Sequence, residues 1–188
     1  MKPSTNAHFY KDGKFDAAAA KEAYFAMMRQ FNYPIVDRLK GDDFWVCDFS
    51  LGDFAQVGMG GIIWWNDKEH GYFGHEIFLL PGQMIVEHGH AATDVKAKME
   101  AWQPRHGLIH LFGTASAIGP CPAPLPKSQA DFITTNYQGV LKPGETKGLT
   151  EVASKHFMMA GPEGAIVTEY ATYHDGKGLR FTNPGVKF

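Results

Sequence analysis

The sequence predicts an antiparallel β-sandwich or small β-barrel that follows a helical segment. Helix-forming residues at helical spacing are confined to the chain before residue 44. Beyond that point, short runs rich in aromatic and β-branched residues follow one another closely, as in sandwiches and small barrels. The 188-residue chain also contains 21 glycines and 11 prolines, which interrupt it too often for a helical bundle.

The predicted helix covers residues 16–31 and begins at Asp16, whose carboxylate is a suitable N-cap. A second short helix is predicted over residues 34–40, ended by Gly41. We therefore expect residues 1–43 to form a helical extension and residues 44–188 to form the β domain. Apolar residues of the first helix recur every three or four positions and should face a core: Ala20, Tyr24, Met27, Met28 and Phe31.

The β domain is expected to contain ten short strands separated by turns that contain Gly or Pro. A proline-rich segment, residues 119–126, is predicted to be an extended loop within this domain, because neither flank is long enough for a second core. The predicted strands cover residues 44–49, 61–65, 72–80, 84–90, 98–102, 107–112, 136–141, 156–160, 165–174 and 179–182.

The composition excludes several functional classes. With 18 basic and 20 acidic residues, the net charge of −2 provides no electrostatic attraction for nucleic acid or an anionic membrane. Cys47 and Cys121 are too few for a disulfide framework or a thiolate metal cluster. Residues 1–10 are polar, unlike a signal peptide, and no apolar run reaches the about 18 residues of a membrane span. We expect a cytoplasmic protein.

One segment concentrates side chains suited to metal binding. Residues 82–90 read G-x5-H-x-H, and Glu100 follows ten residues after the second His, with a Gly at the spacing E-x6-G. Because alternate residues of a strand face the same side, His88 and His90 can present their imidazoles together. Glu100 on the neighbouring strand and His156 are the candidates that complete the set. Three imidazoles and one carboxylate suit a divalent ion with open coordination positions.

This pattern resembles the first motif of the cupin superfamily, although the gap before Glu100 is longer here. The second cupin motif is poor, since Glu151 and Ala153 precede His156 where the superfamily has Pro and Gly. The resemblance implies a cupin fold, which is a jelly-roll barrel also called a double-stranded β-helix. The motif alone implies a cupin that binds metal.

Further segments occur in the order seen in bacterial D-lyxose isomerases, which the chain resembles over residues 58–188. The resemblance implies a manganese-dependent cupin that interconverts an aldose and a ketose, such as D-lyxose with D-xylulose or D-mannose with D-fructose. Zinc, iron, cobalt and nickel are alternatives to manganese. The resembling segments are residues 79–90, 98–100, 142–145, 155–157, 164–169 and 175–184.

Carried over position by position, the resemblance implies that Lys98 and Glu169 are the catalytic pair. Glu169 lies in an otherwise apolar strand, where burial raises the pKa of a carboxyl group and suits it to move a carbon-bound proton through a cis-enediol. Lys98 lies two residues before Glu100, so alternation places it beside the ligands. The implied metal ligands are His88, His90, Glu100 and His156.

The chain departs from the family in three places: the helical N-terminal portion carries little resemblance, and two changes fall at positions that we expect to affect the substrate. His75 stands where a Lys is usual, and the segment from Asp175 to Phe181 lacks a second acidic residue. These three residues are predicted to contact the substrate, because sugar selectivity rests on hydrogen bonds to individual hydroxyls. Trp65 is predicted to add an apolar wall for the sugar. Further candidates for this wall are Trp64, Trp102, Phe112 and Phe157.

Two other functions remain open from the sequence. The first is a metal-dependent lyase or epimerase that acts on another small polar substrate, because the same ligand set serves many cupin reactions. The second is a sugar-binding cupin without turnover. Lys98 and Glu169 favour catalysis, since binding alone requires no base beside the metal. We expect a sugar as the partner and, as is common in cupins, a homodimer.

Overall fold

A curled antiparallel sheet forms most of the protein, which confirms the predicted all-β cupin class. The computed structural model describes residues 5–188, so residues 1–4 of the polar N-terminal segment lie outside the described residues. In the described part, nine strands form this sheet and two more form a small separate hairpin. No helix of residues 5–188 is long and apolar enough to cross a membrane.

The strands are mostly short and are connected by turns. The hairpin consists of β1 (Tyr10–Lys11) and β2 (Lys14–Phe15). The strands of the large sheet are β3 (Phe44–Cys47), β4 (Met59–Asp67), β5 (Tyr72–Leu79), β6 (His88–His90), β7 (Glu100–Gly113), β8 (Asn136–Leu141), β9 (Lys147–Gly148), β10 (His156–Thr172) and β11 (Leu179–Phe181).

Strand β10 organises the sheet because it pairs with β5, β6 and β7. The path of strands runs β11-β6-β10-β5-β4-β3, and β7 pairs with β10, β8 and β9. All of these pairings are antiparallel. The His-x-His strand β6 therefore lies directly beside the long central strand.

Two predicted strand pairs are each one continuous strand. The predicted segments 98–102 and 107–112 merge into β7, and 156–160 and 165–174 merge into β10. Gly107 and Gly164 explain this, since both have positive φ and they meet where the pairing of β7 with β10 shifts register. A Cβ on Gly107 would lie 1.9 Å from the Gly164 carbonyl oxygen, so glycine allows the bend without ending the strands.

The predicted strand 84–90 is mostly irregular, and only its end forms β6. Met84 makes isolated bridges to Val57 and Met159 instead. The Glu87 carboxylate accepts hydrogen bonds from backbone and side-chain groups of Thr134 and Thr135. These side-chain and loop contacts replace the ladder that the hydrophobic pattern predicts. The hairpin and β9 are two-residue strands that carry no periodic signal.

The helices α1 (Ala17–Gln30) and α2 (Asp37–Lys40) precede β3, and the proposed division between residues 43 and 44 stays a prediction. Asp16 caps α1 by accepting a hydrogen bond from the Ala19 amide at 3.0 Å. The helix packs on the outer face of the sheet through a buried core that includes Ala20, Tyr24, Met27, Met28, Phe44, Phe78 and Ile166.

A second core fills the inside of the curled sheet, and period-two alternation separates the two faces. On β5, Phe78 faces the helix while Ile77 faces the interior. On β10, Ile166 faces the helix while Val167 faces the interior. Odd-numbered residues of β5 and of the part of β10 after Gly164 therefore face inward, which places His75 and Glu169 on the inner face.

Candidate metal centre and active site

Four predicted ligands lie together inside the curled sheet. One nitrogen or oxygen atom from each of them lies within 4.8 Å of the corresponding atoms of the others. His88 of β6 and His156 of β10 are direct cross-strand partners, and Glu100 begins β7 on the other side of β10. His90 lies two residues after His88 and shares its face. Three neighbouring strands therefore bring the group together.

Hydrogen bonds orient two of the imidazoles toward a common point. The Nδ1 atom of His88 lies 2.9 Å from the Val86 carbonyl oxygen, and that of His156 lies 3.0 Å from the Ser154 carbonyl oxygen. Because a carbonyl only accepts, each Nδ1 carries a proton, and Nε2 is the nitrogen that each ring can offer to a metal. Burial also lowers the pKa of His88, which keeps it neutral.

Unpartnered buried nitrogens surround the Glu100 carboxylate. His90 Nε2 lies 3.0 Å from one oxygen of Glu100 and His156 Nε2 lies 2.8 Å from the other, yet neither nitrogen has hydrogen-bond geometry. Burial by itself would raise the pKa of Glu100, but the charge of Lys98 and the contacts with both imidazoles outweigh it and hold that pKa well below its usual range. A carboxylate beside buried imidazole nitrogens that have no hydrogen-bond partner fits a divalent cation.

Lys98 and Glu169 form a buried ion pair beside this cluster. Lys98 Nζ donates to Glu169 and, at 2.7 Å, to Glu100. Burial opposes the charge of Lys98, but the two carboxylates outweigh it and raise its pKa. Burial and the charge of Glu100 would raise the pKa of Glu169. Lys98 and His75 outweigh both effects, so the pKa lies below its usual value. The direction is opposite to the one expected from burial of Glu169 alone.

His75 contacts the other side of Glu169. It is the cross-strand partner of Glu169 on β5, and its Nδ1 lies 3.4 Å from the carboxylate. Its ring stacks on Trp45 at a centroid distance of 5.6 Å, and its buried Nε2 has no partner. The stack depends on Gly61, where a Cβ would lie 2.5 Å from the Trp45 ring and 2.6 Å from His75 Nε2.

These groups line a cavity of about 310 Å³ inside the sheet, which lies within the usual range for a small-molecule site. Phe181, predicted to contact the substrate, lines this cavity. Trp102 and Phe157 line it as well, while Phe112 stacks behind Phe157 at 4.1 Å. The remaining apolar lining includes Trp45, Phe49, Met59, Ile77 and Leu179.

Two residues predicted to contact the substrate lie elsewhere. Trp65 is 57% exposed and does not line the cavity, because the pairing of β4 with β5 shifts register after Ile63. Trp64 packs with the helix-side core. Asp175 also lies outside the lining, and its carboxylate accepts a hydrogen bond from Thr93.

Sequence reasoning missed several lining residues, among them Trp45 and His174. Burial, together with the charge of Lys98, lowers the pKa of His174 to about 4. Asn66 holds the backbone of His174 through two hydrogen bonds of 3.0 Å. Neither residue belongs to a spacing motif, although the aromatic β3 run could have indicated Trp45.

Curated relatives match most of the chain, whereas no family model matches it. A D-lyxose/D-mannose isomerase of Thermosediminibacter oceani is 29% identical over 168 residues, covering 89% of this chain and 91% of the relative. A D-lyxose ketol-isomerase of Cohnella laeviribosi is 31% identical over 143 residues, covering 76% of this chain and 77% of the relative.

Solved structures support the same fold. The L-ribose isomerase of Cellulomonas parahominis superposes with a TM-score of 0.67 at 15% identity, covering 90% of this chain and 92% of that chain. The L-ribose isomerase of Acinetobacter sp. DL28 with bound L-ribose has a TM-score of 0.66 at 14% identity, covering 89% of this chain and 91% of that chain.

Fold, site and relatives together define an aldose–ketose isomerase whose His and Glu cluster could hold a metal. This conclusion confirms the predicted enzyme class. The chain belongs to the D-lyxose ketol-isomerase family.

Proposed function

We propose that the enzyme interconverts D-lyxose with D-xylulose, or D-mannose with D-fructose, at the cavity inside the sheet. The observation that carries the proposal is the buried Lys98–Glu169 pair directly beside the ligand cluster. A base beside a metal site is what proton transfer between C1 and C2 requires, whereas a protein that only binds sugar has no need of this pair. The names of the curated relatives support the choice of sugars.

Glu169 is the proposed base. Its carboxylate takes the proton from C2 of the aldose to form a cis-enediol and returns it to C1 to form the ketose, while the hydroxyl proton moves from O2 to O1. Because Lys98 and His75 hold the pKa of Glu169 below its usual range, the carboxylate is ionised at neutral pH, which is the form that a base requires. His75 also fixes the direction of the carboxylate through its Nδ1 contact.

Lys98 is the proposed electrostatic partner of the reacting oxygens. Its ammonium group lies in a buried site between Glu100 and Glu169, and its pKa is raised, so it carries a positive charge at neutral pH. A fixed positive charge in a site without bulk water stabilises negative charge that develops on the oxygens of the substrate. Lys98 therefore lowers the barrier to enediol formation.

We propose manganese as the metal, held by His88, His90, Glu100 and His156. When bound, it supplies Lewis-acid stabilisation to the oxygens on C1 and C2. The buried, unpartnered nitrogens of His90 and His156 support a cation at this point. Three imidazoles and a carboxylate also accept zinc, iron, cobalt or nickel, so elemental analysis of purified protein and activity after reloading with each ion distinguish them.

The test compares Glu169→Gln with the wild type on a panel of pentoses and hexoses with added manganese. We expect the wild type to convert D-lyxose or D-mannose, and the variant to retain metal but lose about 10²–10⁴-fold in kcat. The matched control is Glu163→Gln, an exposed carboxylate of the same strand. A wild type that binds metal yet converts no aldose would contradict the proposed function.

We also propose that the enzyme is a cytoplasmic homodimer. Trp65 and Tyr170 are 57% and 47% exposed and flank Gly74 in adjacent register positions, which leaves an apolar row open across three strands. Trp65→Ser should shift the mass measured by light scattering toward the monomer. The control Val152→Ser removes an exposed apolar side chain elsewhere. A monomeric wild type would refute the dimer.

A further inference from the structure

The polar side chains of the cavity occupy only part of its wall. Besides the four candidate ligands, the polar lining consists of Lys98, Glu169, His75 and His174. The first three form one chain of contacts with Glu100. The ring of His174 lies 6.2 Å from that of His90. The remaining lining side chains are aliphatic, aromatic or methionine.

Four aromatic lining residues contact one another and form what we call the aromatic wall: Trp45, Phe49, Phe181 and Phe188. Phe188 lies 5.9 to 6.1 Å from the rings of the other three, and Phe49 lies 6.3 Å from Phe181. The wall extends from His75, on which Trp45 stacks, to His88, whose ring lies 6.2 Å from Phe181. Apart from one indole N–H, it offers no hydrogen-bonding group.

This arrangement constrains how a sugar binds. The C1–C2 end must lie at Lys98, Glu169 and the ligand cluster, because the proton moves there. A sugar held at that end can extend along the aromatic wall, which begins beside His75 and His88. The wall is exposed at Phe188, but Phe49 is only 1% exposed. A hydroxyl group held at this buried part loses its contacts with water and gains no partner from the wall, whereas a methyl group gains burial.

We propose that the preferred substrate is a deoxy sugar, a 6-deoxyaldohexose whose C6 methyl lies on the aromatic wall. The proposal rests on the proposed isomerase function and deepens it. The bonds made and broken at C1 and C2 are unchanged, and C6 takes no part in them. An unpaired buried hydroxyl costs enough to disfavour the parent hexose about tenfold or more.

The first test compares D-mannose with 6-deoxy-D-mannose, which differ only at C6, on manganese-loaded enzyme. We expect kcat/KM to be at least about tenfold higher for the deoxy sugar, with most of the difference in KM. Calorimetry with Glu169→Gln measures binding of the same two sugars without turnover, and the dissociation constants should differ in the same direction.

The second test changes the wall. Phe188→Gln places an amide at its exposed end, so the preference for the deoxy sugar should fall several-fold. Ile118→Gln makes the same kind of change at an exposed apolar residue outside the cavity and should leave the ratio unchanged. A ratio that the wall variant does not alter overturns the role of the wall.

The outcomes separate the two proposals. If D-mannose is converted as well as its deoxy counterpart or better, the deoxy preference is wrong and the isomerase function stands. If metal-loaded enzyme converts neither sugar nor any other aldose, the proposed function fails and the deoxy preference fails with it.

Discussion

Glu76 and Glu169 are two buried carboxylates on neighbouring strands, and they differ in the face of the sheet that they occupy. Glu76 is 7% exposed on the helix side, where it accepts hydrogen bonds from the hydroxyl groups of Tyr33 and Thr168. Glu169 is 4% exposed on the cavity side, where its partners are Lys98 and His75. Burial is therefore nearly equal in the two cases.

The comparison shows that the groups in contact with a buried carboxylate, rather than its degree of burial, distinguish a structural carboxylate from the proposed catalytic base. Neutral hydroxyl donors satisfy Glu76 without offering a proton-transfer route. An ammonium and an imidazole hold Glu169 as an anion at the edge of a cavity that can admit a substrate. Alternation along β10 assigns Thr168 and Glu169 to opposite faces, so one residue step changes the role.

The largest expected effect comes from replacing each of the two carboxylates by an amide. Glu169→Gln should reduce kcat by about 10²–10⁴-fold, since an amide is not a base. Glu76→Gln should leave kcat nearly unchanged but lower the free energy of unfolding by about 1–3 kcal/mol, because charge-assisted hydrogen bonds on the helix side are weakened. Steady-state kinetics and urea unfolding measure the two effects. Equal losses of kcat in both variants would show that the faces are not functionally distinct.

The second prediction concerns the metal and uses two histidines of the sheet. His156→Asn removes a proposed ligand and should reduce metal affinity at least about 100-fold, more than loss of an outer-shell partner does. His110 is also buried, but its Nδ1 lies 3.3 Å from the Tyr137 hydroxyl and it does not line the cavity. His110→Asn should retain the wild-type metal content. Elemental analysis after dialysis decides between them, and full metal retention by the His156 variant would disprove its role as a ligand.

The smallest effect comes from two adjacent glycines of β4. A Cβ on Gly61 would displace Trp45 and His75, so Gly61→Ala should lower kcat/KM about tenfold through misplacement of Glu169. A Cβ on Gly60 would lie 2.9 Å from the Tyr24 ring on the helix side. Gly60→Ala should cost about 1–3 kcal/mol of stability and leave kcat/KM nearly unchanged. Thermal melts and kinetics measure the two effects. If Gly60→Ala lowers kcat/KM and Gly61→Ala lowers only stability, the assignment of these two residues to opposite faces of β4 is wrong.

Local patterns predicted much of the fold correctly. The capped amphipathic segment forms α1, whose Tyr24 and Met27 are fully buried. Predicted strand boundaries were less accurate where glycines bend a strand without ending it, as at Gly107 and Gly164. A turn residue indicates positive φ, but only the pairing of β7 with β10 decides whether the ladder continues beyond it.

The candidate site, like the fold, was predicted only in part from the sequence. The spacing of His88 and His90 indicates shared orientation, and the structure places Glu100 and His156 beside them. Residue type could not show that Trp45, rather than Trp65, lines the cavity, since both are tryptophans in predicted strands. A register shift after Ile63 accompanies the outward position of Trp65.

By itself, the sequence determined the β class, the inward alternation of the His-x-His strand and the set of chemical groups, because these depend on local periodicity and residue type. Only the tertiary structure decided that Lys98 and His75 meet Glu169, 71 and 94 residues away along the chain. That meeting reverses the pKa shift that burial would cause. The physical reason is that charges act through space, and the distances between them are defined only once strands distant in sequence pair.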